Sequence, residues 1–376
     1  MKIGLVCPYN IAKGGGVQEL VYATQAELIK RGHDVKIVTP LPRDMEEIPQ
    51  PGVVYIGTST DFRSPMHTHT QVSASADQEK ISTMLEAEQF DIIHFHEPWI
   101  PVLSRQILQR SNSVNIATFH GKLPETLMSR TVIKVVTPYL KSVMKYLQVL
   151  TAVSDSAAEY VTSLTDEPVS IIPNGIDLAK YKTKASKKPT KRKTIFYIGR
   201  LERRKGVKYL LQAFQLLEQD NPNIHLLIAG NGPDREKLEL LAEDLKLKNV
   251  EFLGYIEEDQ KLKLMAEADL FVSPAIYGES FGIVLLEALA TGTVTVAGNN
   301  SGYRDVMQGP GAISIVNTQD IEEFARRMDM LLHEEALRTL WREWAQDYVK
   351  QFSYARVVDE YEALYKRVLK QHGRKA

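Results

Sequence analysis

Residues 278–292 read Gly-Glu-Ser-Phe-Gly-Ile-Val-Leu-Leu-Glu-Ala-Leu-Ala-Thr-Gly, which places one carboxylate in a glycine loop and a second on the run that follows. The Leu- and Ala-rich run predicts a helix over residues 281–290. The first turn of this helix, where backbone N–H groups lack a helical partner, holds Phe281, Gly282 and Ile283. Such an end attracts phosphate, and Glu279 beside it suits neutral hydroxyls, as on a sugar, while Glu287 suits a ribose. The alternative is an ordinary capped helix in which Glu279 complements the macrodipole.

The composition of the 376-residue chain is that of a globular protein, with 44% hydrophobic and 25% charged residues, and the length suggests two or three domains. The formal net charge of −1 argues against a nucleic-acid binder, which would carry a basic excess. The single cysteine, Cys7, cannot form an internal disulfide, which favours a buried strand residue and a reducing compartment. Because no apolar run suits a signal peptide or a membrane span, we expect a cytoplasmic protein, either free or peripheral on the inner face of the cell membrane.

Short apolar runs that end in Gly, Pro or Asn alternate with longer helical patterns, which is the sequence form of βαβ units around a mostly parallel sheet. The alternation begins twice, with strands predicted at 3–7 and 194–198. Further strands are predicted at 35–39, 53–56, 91–95, 116–119, 149–153, 169–172, 225–229, 250–253, 270–272 and 294–297. The predicted fold is therefore α/β, with two doubly wound, Rossmann-like domains that face each other across a deep cleft and bind ligands at the carboxyl ends of their strands. The predicted domains are residues 1–175, residues 176–352, and a helical segment, 353–376, that packs back on the first domain.

The first glycine loop, Gly14-Gly15-Gly16, is not the G-x-G-x-x-G of dinucleotide sites. The predicted second strand ends in Thr39-Pro40 rather than in an acidic residue for a ribose, so an NAD-type oxidoreductase is disfavoured. Gly15 and Gly16 still allow the backbone to approach a ligand closely, and the helix that follows directs its N-terminus at a phosphate or hydroxyl. A plain flexible turn is the alternative.

The second glycine loop, residues 199–206, reads Gly-Arg-Leu-Glu-Arg-Arg-Lys-Gly. Its four cations are Arg200, Arg203, Arg204 and Lys205. A diphosphate needs such a set, because Arg grips phosphate oxygens bidentately, Lys adds a point charge and the helix start adds N–H groups. Exposed surface basicity is the alternative, with Glu202 pairing one of the arginines. A further glycine turn with Gly230 follows the next predicted strand.

Three histidines lie at the ends of predicted strands of the first domain. His94 and His96 share one face of a strand because side chains alternate with a period of two, and His120 ends another strand. A metal site would need a third ligand of clear identity, so hydrogen-bonded histidines that line a cleft are the favoured interpretation. His120 is the better candidate for a catalytic residue.

A helical pattern kinked at Pro138 carries basic residues on one side, within about 60° of one another on a helical wheel. They are Arg130, Lys134, Lys141 and Lys145. A basic amphipathic helix is typical of contact with an anionic membrane surface. A domain helix with a solvated lysine face has the same pattern, and is the alternative.

Taken together, the motifs resemble the retaining glycosyltransferases of family 4, which have the two-domain GT-B fold, and the resemblance covers essentially the whole chain. Four segments carry it: residues 14–17 (Gly-Gly-Gly-Val), residues 172–177 (Ile-Pro-Asn-Gly-Ile-Asp), Gly199-Arg200 with Lys205-Gly206, and the pair Glu279 and Glu287. Within the family, five segments are similar to the phosphatidylinositol mannosyltransferases: residues 6–9 (Val-Cys-Pro-Tyr), 15–18 (Gly-Gly-Val-Gln), 96–98 (His-Glu-Pro), 117–120 (Ala-Thr-Phe-His) and 278–284.

The motifs and this resemblance together assign the site residues. The implied catalytic residues are His120, Arg200, Lys205 and Glu279, of which Arg200 and Lys205 would stabilise the leaving diphosphate. The implied donor-binding residues are Gly15, Gly16, Gly230, Lys261, Phe281, Gly282, Ile283, Val284 and Glu287. The implied acceptor-binding residues are Tyr9 and Gln18.

The implied reaction moves a hexose (mannose, glucose or N-acetylglucosamine) from a GDP- or UDP-sugar to a hydroxyl of a lipid or saccharide, with no metal ion and no cofactor. Membrane-binding mannosyltransferases carry a dense basic cluster before a helix of the first domain, whereas residues 73–82 here read Ser-Ala-Ser-Ala-Asp-Gln-Glu-Lys-Ile-Ser. An inositol lipid is therefore less well supported than a lipid acceptor in general. The alternative functions are a nucleotide-sugar epimerase on the same fold and a non-catalytic sugar-nucleotide sensor.

Overall fold

The structure, a computed structural model, describes residues 1–12, 14–42, 50–63, 69–74, 77–121, 137–181 and 192–374. The chain divides into two compact units. Unit 1 comprises Met1–Gly175 together with Tyr354–Ala376, and unit 2 comprises Ile176–Ser353. The chain therefore passes from unit 1 to unit 2 after Gly175 and returns to unit 1 after Ser353.

Unit 1 is built on a largely parallel sheet whose strands alternate with helices. The strands are β1 (Lys2–Val6), β2 (Asp34–Leu41), β3 (Val53–Arg63), β4 (His69–Ser73), β5 (Ile92–His96), β6 (Val114–Phe119), β7 (Val149–Ala152) and β8 (Val169–Ile171). In the described part of the unit they form one sheet in the order β4-β3-β2-β1-β5-β6-β7-β8. Strand β4 is antiparallel to β3, and the other neighbours are parallel. The helices are α1 (Gly16–Lys30), α2 (Gln78–Glu88), α3 (Leu103–Leu108), α4 (residues 137–144) and α5 (Asp155–Thr162).

Unit 2 repeats the architecture with a second parallel sheet. Its strands are β9 (Lys193–Ile198), β10 (Ile224–Ala229), β11 (Val250–Gly254), β12 (Leu270–Ser273), β13 (Thr295–Gly298) and β14 (Ile315–Val316). Among the described residues they lie in the order β11-β10-β9-β12-β13-β14, and each neighbouring pair is parallel. The helices are α6 (Val207–Asp220), α7 (Arg235–Asp244), α8 (Glu258–Glu267), α9 (Ile283–Thr291), α10 (Ser301–Val306), α11 (Ile321–His333) and α12 (Glu335–Tyr348).

The last helix, α13 (Tyr354–Gln371), belongs to unit 1 although it follows unit 2 in the chain. Its buried side chains join the same apolar core as residues of β1 and α1. Those side chains are Val357, Val358, Tyr361, Leu364, Tyr365, Val368 and Leu369. Cys7 also lies in this core, where burial raises the pKa of its thiol to about 12, in agreement with a structural role for the single cysteine.

Side-chain caps explain where several helices begin. Asp77, Ser154, Asn300 and Asp320 each accept a hydrogen bond from the backbone N–H three residues on, which satisfies a donor that the first helical turn leaves unpaired.

The predicted α/β fold with two Rossmann-like domains is confirmed, and three details differ from the sequence-based expectation. Helix α9 begins at Ile283 rather than at residue 281. Strand β3 runs to Arg63 and pairs with the unpredicted β4, whose polar sequence His-Thr-Gln-Val-Ser lacks the apolar run used to find strands. The two-residue strand β14 is too short for any such pattern.

Candidate active site

In unit 2, the loops after β9, β10 and β12 pack so closely that glycine is required. A Cβ atom on Gly230 would lie 2.0 Å from the carbonyl oxygen of Gly199, and one on Gly206 would lie 2.1 Å from that of Pro274. Both glycines have positive φ, +118° and +72°, a region that glycine enters without steric cost. This packing brings the basic loop after β9 against the loop that carries Glu279.

Glu279 is held by two cations of the basic loop. Its Oε1 atom lies 2.5 Å from Nη1 of Arg204 and 2.8 Å from Nζ of Lys205. Arg204 also donates to the carbonyl oxygen of Gly278 at 3.3 Å, and its own carbonyl accepts the N–H of Ile276 at 2.9 Å. Arg204 therefore fixes both the Glu279 carboxylate and the backbone of the loop that carries Glu279.

On its other side, Arg204 contacts the buried Glu202. The distance from Arg204 Nε to Glu202 Oε1 is 2.7 Å, and Arg200 Nε lies 3.6 Å from Glu202 Oε2. Burial lowers the pKa of Arg204, but the carboxylates of Glu279 and Glu202 outweigh it and raise the pKa above its ordinary value. The predicted pairing of Glu202 with an arginine is thus present. Sequence reasoning noted Arg204 only as one of four cations and ranked Arg200 and Lys205 above it.

The first turn predicted around residues 281–283 needs a correction. Gly282 has a φ of +103°, which is not helical, so Phe281 and Gly282 precede α9 and Gly282 is its N-cap. The helical N–H groups at this end therefore belong to Ile283 and Val284. The Phe281 side chain is buried, with its ring centroid 6.0 Å from that of Phe352, so it belongs to the core of unit 2.

Glu287, on α9, is the centre of a second charged group. Its Oε1 atom lies 2.8 Å from Lys261 Nζ and accepts a hydrogen bond from the Tyr181 hydroxyl at 3.1 Å. Glu258 in turn pairs with Lys261 at 2.9 Å and with Lys180 at 2.7 Å. Burial raises the pKa of Glu287, an effect that Lys261 partly offsets. The structure thus brings together the predicted residues Glu287 and Lys261, and adds Tyr181 and Lys180, which carried no sequence signal.

In unit 1, Gly15, Gly16 and Gln18 lie together where the chain enters α1. Gly15 is the N-cap and Gly16 the first helical residue. A Cβ atom on Gly15 would lie 2.6 Å from Gln18 Oε1, so a larger residue there would displace Gln18. The Gln18 side chain donates to the carbonyl oxygen of Asn10 at 3.4 Å. Tyr9, the other predicted acceptor residue, is next to Asn10 in the loop after β1 and is partly exposed.

The three histidines form a buried cluster at the ends of β5 and β6. His94 is bonded through Nδ1 to the Tyr365 hydroxyl at 2.7 Å and through Nε2 to Thr118 Oγ1 at 2.6 Å. His96 Nδ1 lies 2.9 Å from His120 Nε2. Burial lowers the pKa of His94 and of His120 to about 3, and that of His96 well below its ordinary value, so the cluster is neutral near pH 7. Within the described residues, no three His, Cys, Asp or Glu side chains are grouped to hold a metal ion.

Two of the four basic residues predicted to contact a membrane are described. Lys141, on α4, and Lys145, just beyond its end, are both exposed. Arg130 and Lys134 lie outside the described residues, so the common face of the four remains a prediction. No helix in the described ranges is both long and apolar enough to cross a membrane.

Sequence comparisons match both halves of the chain to glycosyltransferases. Residues 180–348 match the family of glycosyl transferases group 1, and residues 14–180 match glycosyltransferase family 4. A phosphatidyl-myo-inositol mannosyltransferase of Mycolicibacterium smegmatis is 30% identical over 98% of this chain and 94% of its own length. One from Mycobacterium leprae is 29% identical over 98% of this chain and 97% of its own.

Solved structures share the fold at lower identity. A sucrose-phosphate synthase from Thermosynechococcus elongatus gives a TM-score of 0.77 at 20% identity and covers 98% of this chain and 99% of its own. Anabaena HepE, solved with UDP and glucose, gives a TM-score of 0.73 at 16% identity over 98% of this chain and all of its own, 100%.

Each unit is built on a mostly parallel, Rossmann-like sheet, and the solved structures share this GT-B fold. The family matches and the mannosyltransferase relatives make the chain a glycosyltransferase. The chain belongs to glycosyltransferase family 4, and it is a hexosyltransferase.

Proposed function

We propose that this enzyme transfers a hexose from a GDP- or UDP-sugar to a hydroxyl group, with retention of the anomeric configuration and without a metal ion. The sugar is mannose, glucose or N-acetylglucosamine, and the names of the mannosyltransferase relatives make GDP-mannose the first donor to test. The acceptor is a hydroxyl of a lipid at the membrane surface or of a saccharide.

The observation that carries this proposal is the position of Glu279. A carboxylate beside a phosphate site repels the phosphate unless cations neutralise it, and here Arg204 and Lys205 both contact its Oε1 atom. Its other oxygen, Oε2, would accept hydrogen bonds from the hydroxyls of the donor sugar. Lys205 would at the same time face the diphosphate that leaves.

Departure of the diphosphate concentrates negative charge on its oxygens. Arg200, Lys205 and the N–H groups at the start of α9 would stabilise that charge without reorganisation, which is how preorganised dipoles and charges lower a barrier. Because the protein supplies these positive groups, the proposed reaction needs no metal ion. Attack from the face of the leaving group, with a departing phosphate oxygen as proton acceptor, would retain the configuration.

The nucleoside would lie against the second charged group. Glu287 would accept hydrogen bonds from the ribose hydroxyls, and Lys261 would lie near the base. Lys261 Nζ and Glu287 Oε1 lie 2.8 Å apart, so both side chains are held at this position. By the family resemblance, we assign the backbone of Gly15 and Gly16 to the diphosphate and His120 to the reacting carbon.

Transfer assays with labelled GDP-mannose, UDP-glucose and UDP-N-acetylglucosamine, each with and without membrane lipid extract, test the proposal. We expect one donor to label an acceptor, and the product linkage to keep the donor's anomeric configuration by NMR. Inversion would refute the retaining mechanism. Conversion of the donor to another sugar nucleotide without acceptor would indicate an epimerase, and tight binding without turnover a sensor.

We also propose that Arg130, Lys134, Lys141 and Lys145 contact an anionic membrane surface, where each basic residue contributes about 1 kcal/mol. Co-sedimentation with vesicles containing phosphatidylserine should be lost when all four are replaced by Ala and kept in a Lys237→Ala and Lys350→Ala control, both exposed lysines of unit 2. Unchanged co-sedimentation of the quadruple variant would rule out this face.

A further inference from the structure

The turn between β5 and the following loop carries a backbone conformation that non-glycine residues seldom adopt. Glu97 has a φ of +50°, and such positions persist only where the surrounding structure fixes them. Neighbouring residues of a strand normally point to opposite faces. The left-handed turn at Glu97 instead lets the side chains of two consecutive residues, His96 and Glu97, both reach His120.

Glu97 contacts the main chain of His120. Its Oε1 atom accepts the His120 N–H at 2.7 Å, and the backbone of Gly121 is a further donor to the carboxylate. Its Oε2 atom accepts the indole N–H of Trp99. Both carboxylate oxygens are therefore used, and the turn after β6 is held by a side chain from the turn after the neighbouring strand, β5.

His96 contacts the side chain of the same residue. Its Nδ1 atom is hydrogen-bonded to His120 Nε2 at 2.9 Å, and the two ring centroids are 5.2 Å apart. His96 also packs on His94, with ring centroids 4.4 Å apart, and His94 is held at both ring nitrogens by Tyr365 and Thr118. The orientation of the His120 imidazole is thus set by a rigid, buried partner.

The environment of Glu97 is unusual for a residue with only a structural task. It is 2% exposed, and among the described residues no Lys or Arg pairs with it. A buried carboxylate bound only by neutral donors is costly, and burial raises the pKa of Glu97 to about 7. The titratable groups that face it are His120 at the end of β6 and Tyr9 in the loop after β1, whose pKa is raised by burial and also by the charge of Glu97. Tyr9 and His120 are the residues of unit 1 expected nearest the acceptor and the reacting carbon.

We propose that Glu97 and His96 are positioning residues for His120, with the Glu97 carboxylate fixing its main chain and His96 fixing its imidazole. The inference deepens the proposed function, on which it rests for the role of His120. It assigns a task to the Glu of the His-Glu-Pro segment, which the sequence alone left without one.

The test uses Glu97→Gln and the double variant Glu97→Gln/Trp99→Phe in the full chain. In Glu97→Gln, the amide oxygen can still accept hydrogen bonds from the backbone N–H groups. The amide NH2 group then faces the indole N–H of Trp99, so that two hydrogen-bond donors point at each other. We expect kcat to fall about 10- to 100-fold, as a displacement near 1 Å does, with the donor KM changed less than threefold. Removing the indole N–H in the double variant should restore kcat at least fivefold. Glu79→Gln, at an exposed position of α2, is the matched control and should behave as the wild type.

A pH profile separates positioning from stability. The wild-type kcat should fall as the pH drops below about 7, where the carboxylate gains a proton and loses an acceptor, and Glu97→Gln should lack that limb. An unchanged kcat in Glu97→Gln, an unaltered acid limb, or no gain in the double variant would each overturn the proposal.

A readout without substrate keeps the inference apart from the proposed function. In 15N-histidine-labelled protein, the His120 ring signals should shift in Glu97→Gln and return toward the wild-type position in the double variant. If the wild type transfers no sugar but these shifts occur, the proposed function fails and the positioning stands. If transfer occurs and the His120 signals of Glu97→Gln match the wild type, the positioning fails.

Discussion

At the scale of single residues, Arg204 is the cation that organises the proposed donor site. It lies between two carboxylates, Glu202 and Glu279, and its guanidinium contacts both. The sequence indicated the chemistry, four cations in a glycine loop and a glutamate before a helix, but the family resemblance singled out Arg200 and Lys205 and not Arg204. The contact of Arg204 with Glu279 depends on how the loops after β9 and β12 pack, which is a tertiary property.

Arg204→Lys tests this role, because Lys cannot hold two carboxylates with a planar fork. We expect kcat/KM to fall about 10- to 100-fold, by analogy with the loss of one preorganised electrostatic contact, while the same change at the exposed neighbour Arg203 leaves it within twofold. Steady-state kinetics of the two variants in parallel provide the comparison. Equal effects at both positions would show that only net charge matters.

The buried histidines give a pH prediction with a definite sign. His94 and His120 have pKa values lowered by burial from 6.5 to about 3, so the unfolded chain binds more protons than the folded one between those values, and stability falls as the pH falls. Glu97 has a pKa raised from 4.5 to about 7, so its protonation stabilises the folded chain as the pH falls. This opposing effect involves one proton, whereas the histidines account for two or more. The net effect is destabilisation of unit 1 in acid.

We therefore expect the amides of β5 and β6 to lose hydrogen-exchange protection between pH 7 and pH 5, after correction for the intrinsic rate, and the ring carbon signals of His94 and His120 not to titrate over that range. His94→Gln should reduce the pH dependence. If the imidazole of His94 or of His120 titrated near pH 6.5, that histidine would not be held neutral by burial.

At the scale of secondary structure elements, the start of α9 is the detail that the sequence placed wrongly. The Leu- and Ala-rich run identified the helix, as apolar periodicity does for long segments, but a glycine that enters the left-handed region cannot be told from a helical one by pattern alone. Packing against α10 requires a glycine at position 282, because a Cβ atom on Gly282 would lie 2.7 Å from the Tyr303 ring. Strand β4 was missed for a different reason, because its polar sequence lacks the apolar run by which strands were identified.

Gly282→Ala and Gly292→Ala form a matched pair at the two ends of α9. Both glycines have positive φ, but only Gly282 is crowded, because a Cβ atom on Gly292 meets nothing within 4 Å. Each change should cost about 1 kcal/mol or more in strain, measured as the free energy of unfolding by urea. Only Gly282→Ala should also lower kcat/KM, because it displaces the N–H groups of Ile283 and Val284. A similar activity loss in Gly292→Ala would argue against a special role for this helix end.

At the scale of the whole molecule, the repeated strand, glycine loop and helix in each half were enough to predict two Rossmann-like domains. The antiparallel edge of unit 1 was not predicted. The contacts of Glu97 with His120 and of Tyr365 with His94 could not be predicted from the sequence. Each contact joins residues that are distant in the chain, and no local pattern encodes their pairing. The sequence of α13 has an apolar helical pattern, and in the structure the apolar side chains of this helix pack in the core of unit 1.

Removal of residues 354–376 should unfold unit 1 selectively. The helix buries seven large apolar or aromatic side chains at roughly 1.5–3 kcal/mol each, which reaches the typical total stability of a domain, about 5–15 kcal/mol. Hydrogen exchange should show lost protection in β1 and β5 and retained protection in β9 and β12. Removal of residues 375–376 alone is the control and should change neither. Protection retained in β1 of the long truncation would contradict the assignment of α13 to the unit 1 core.

The central claim is that unit 2 holds a nucleotide-sugar donor through Lys205 and Glu279 and that the enzyme transfers its sugar. The most direct measurement is the initial rate of label transfer from the donor identified in the panel, for the wild type and Lys205→Ala side by side. The account predicts acceptor-dependent transfer by the wild type and a loss of at least about 10²-fold in the variant. Transfer by Lys205→Ala at a rate near that of the wild type would contradict it.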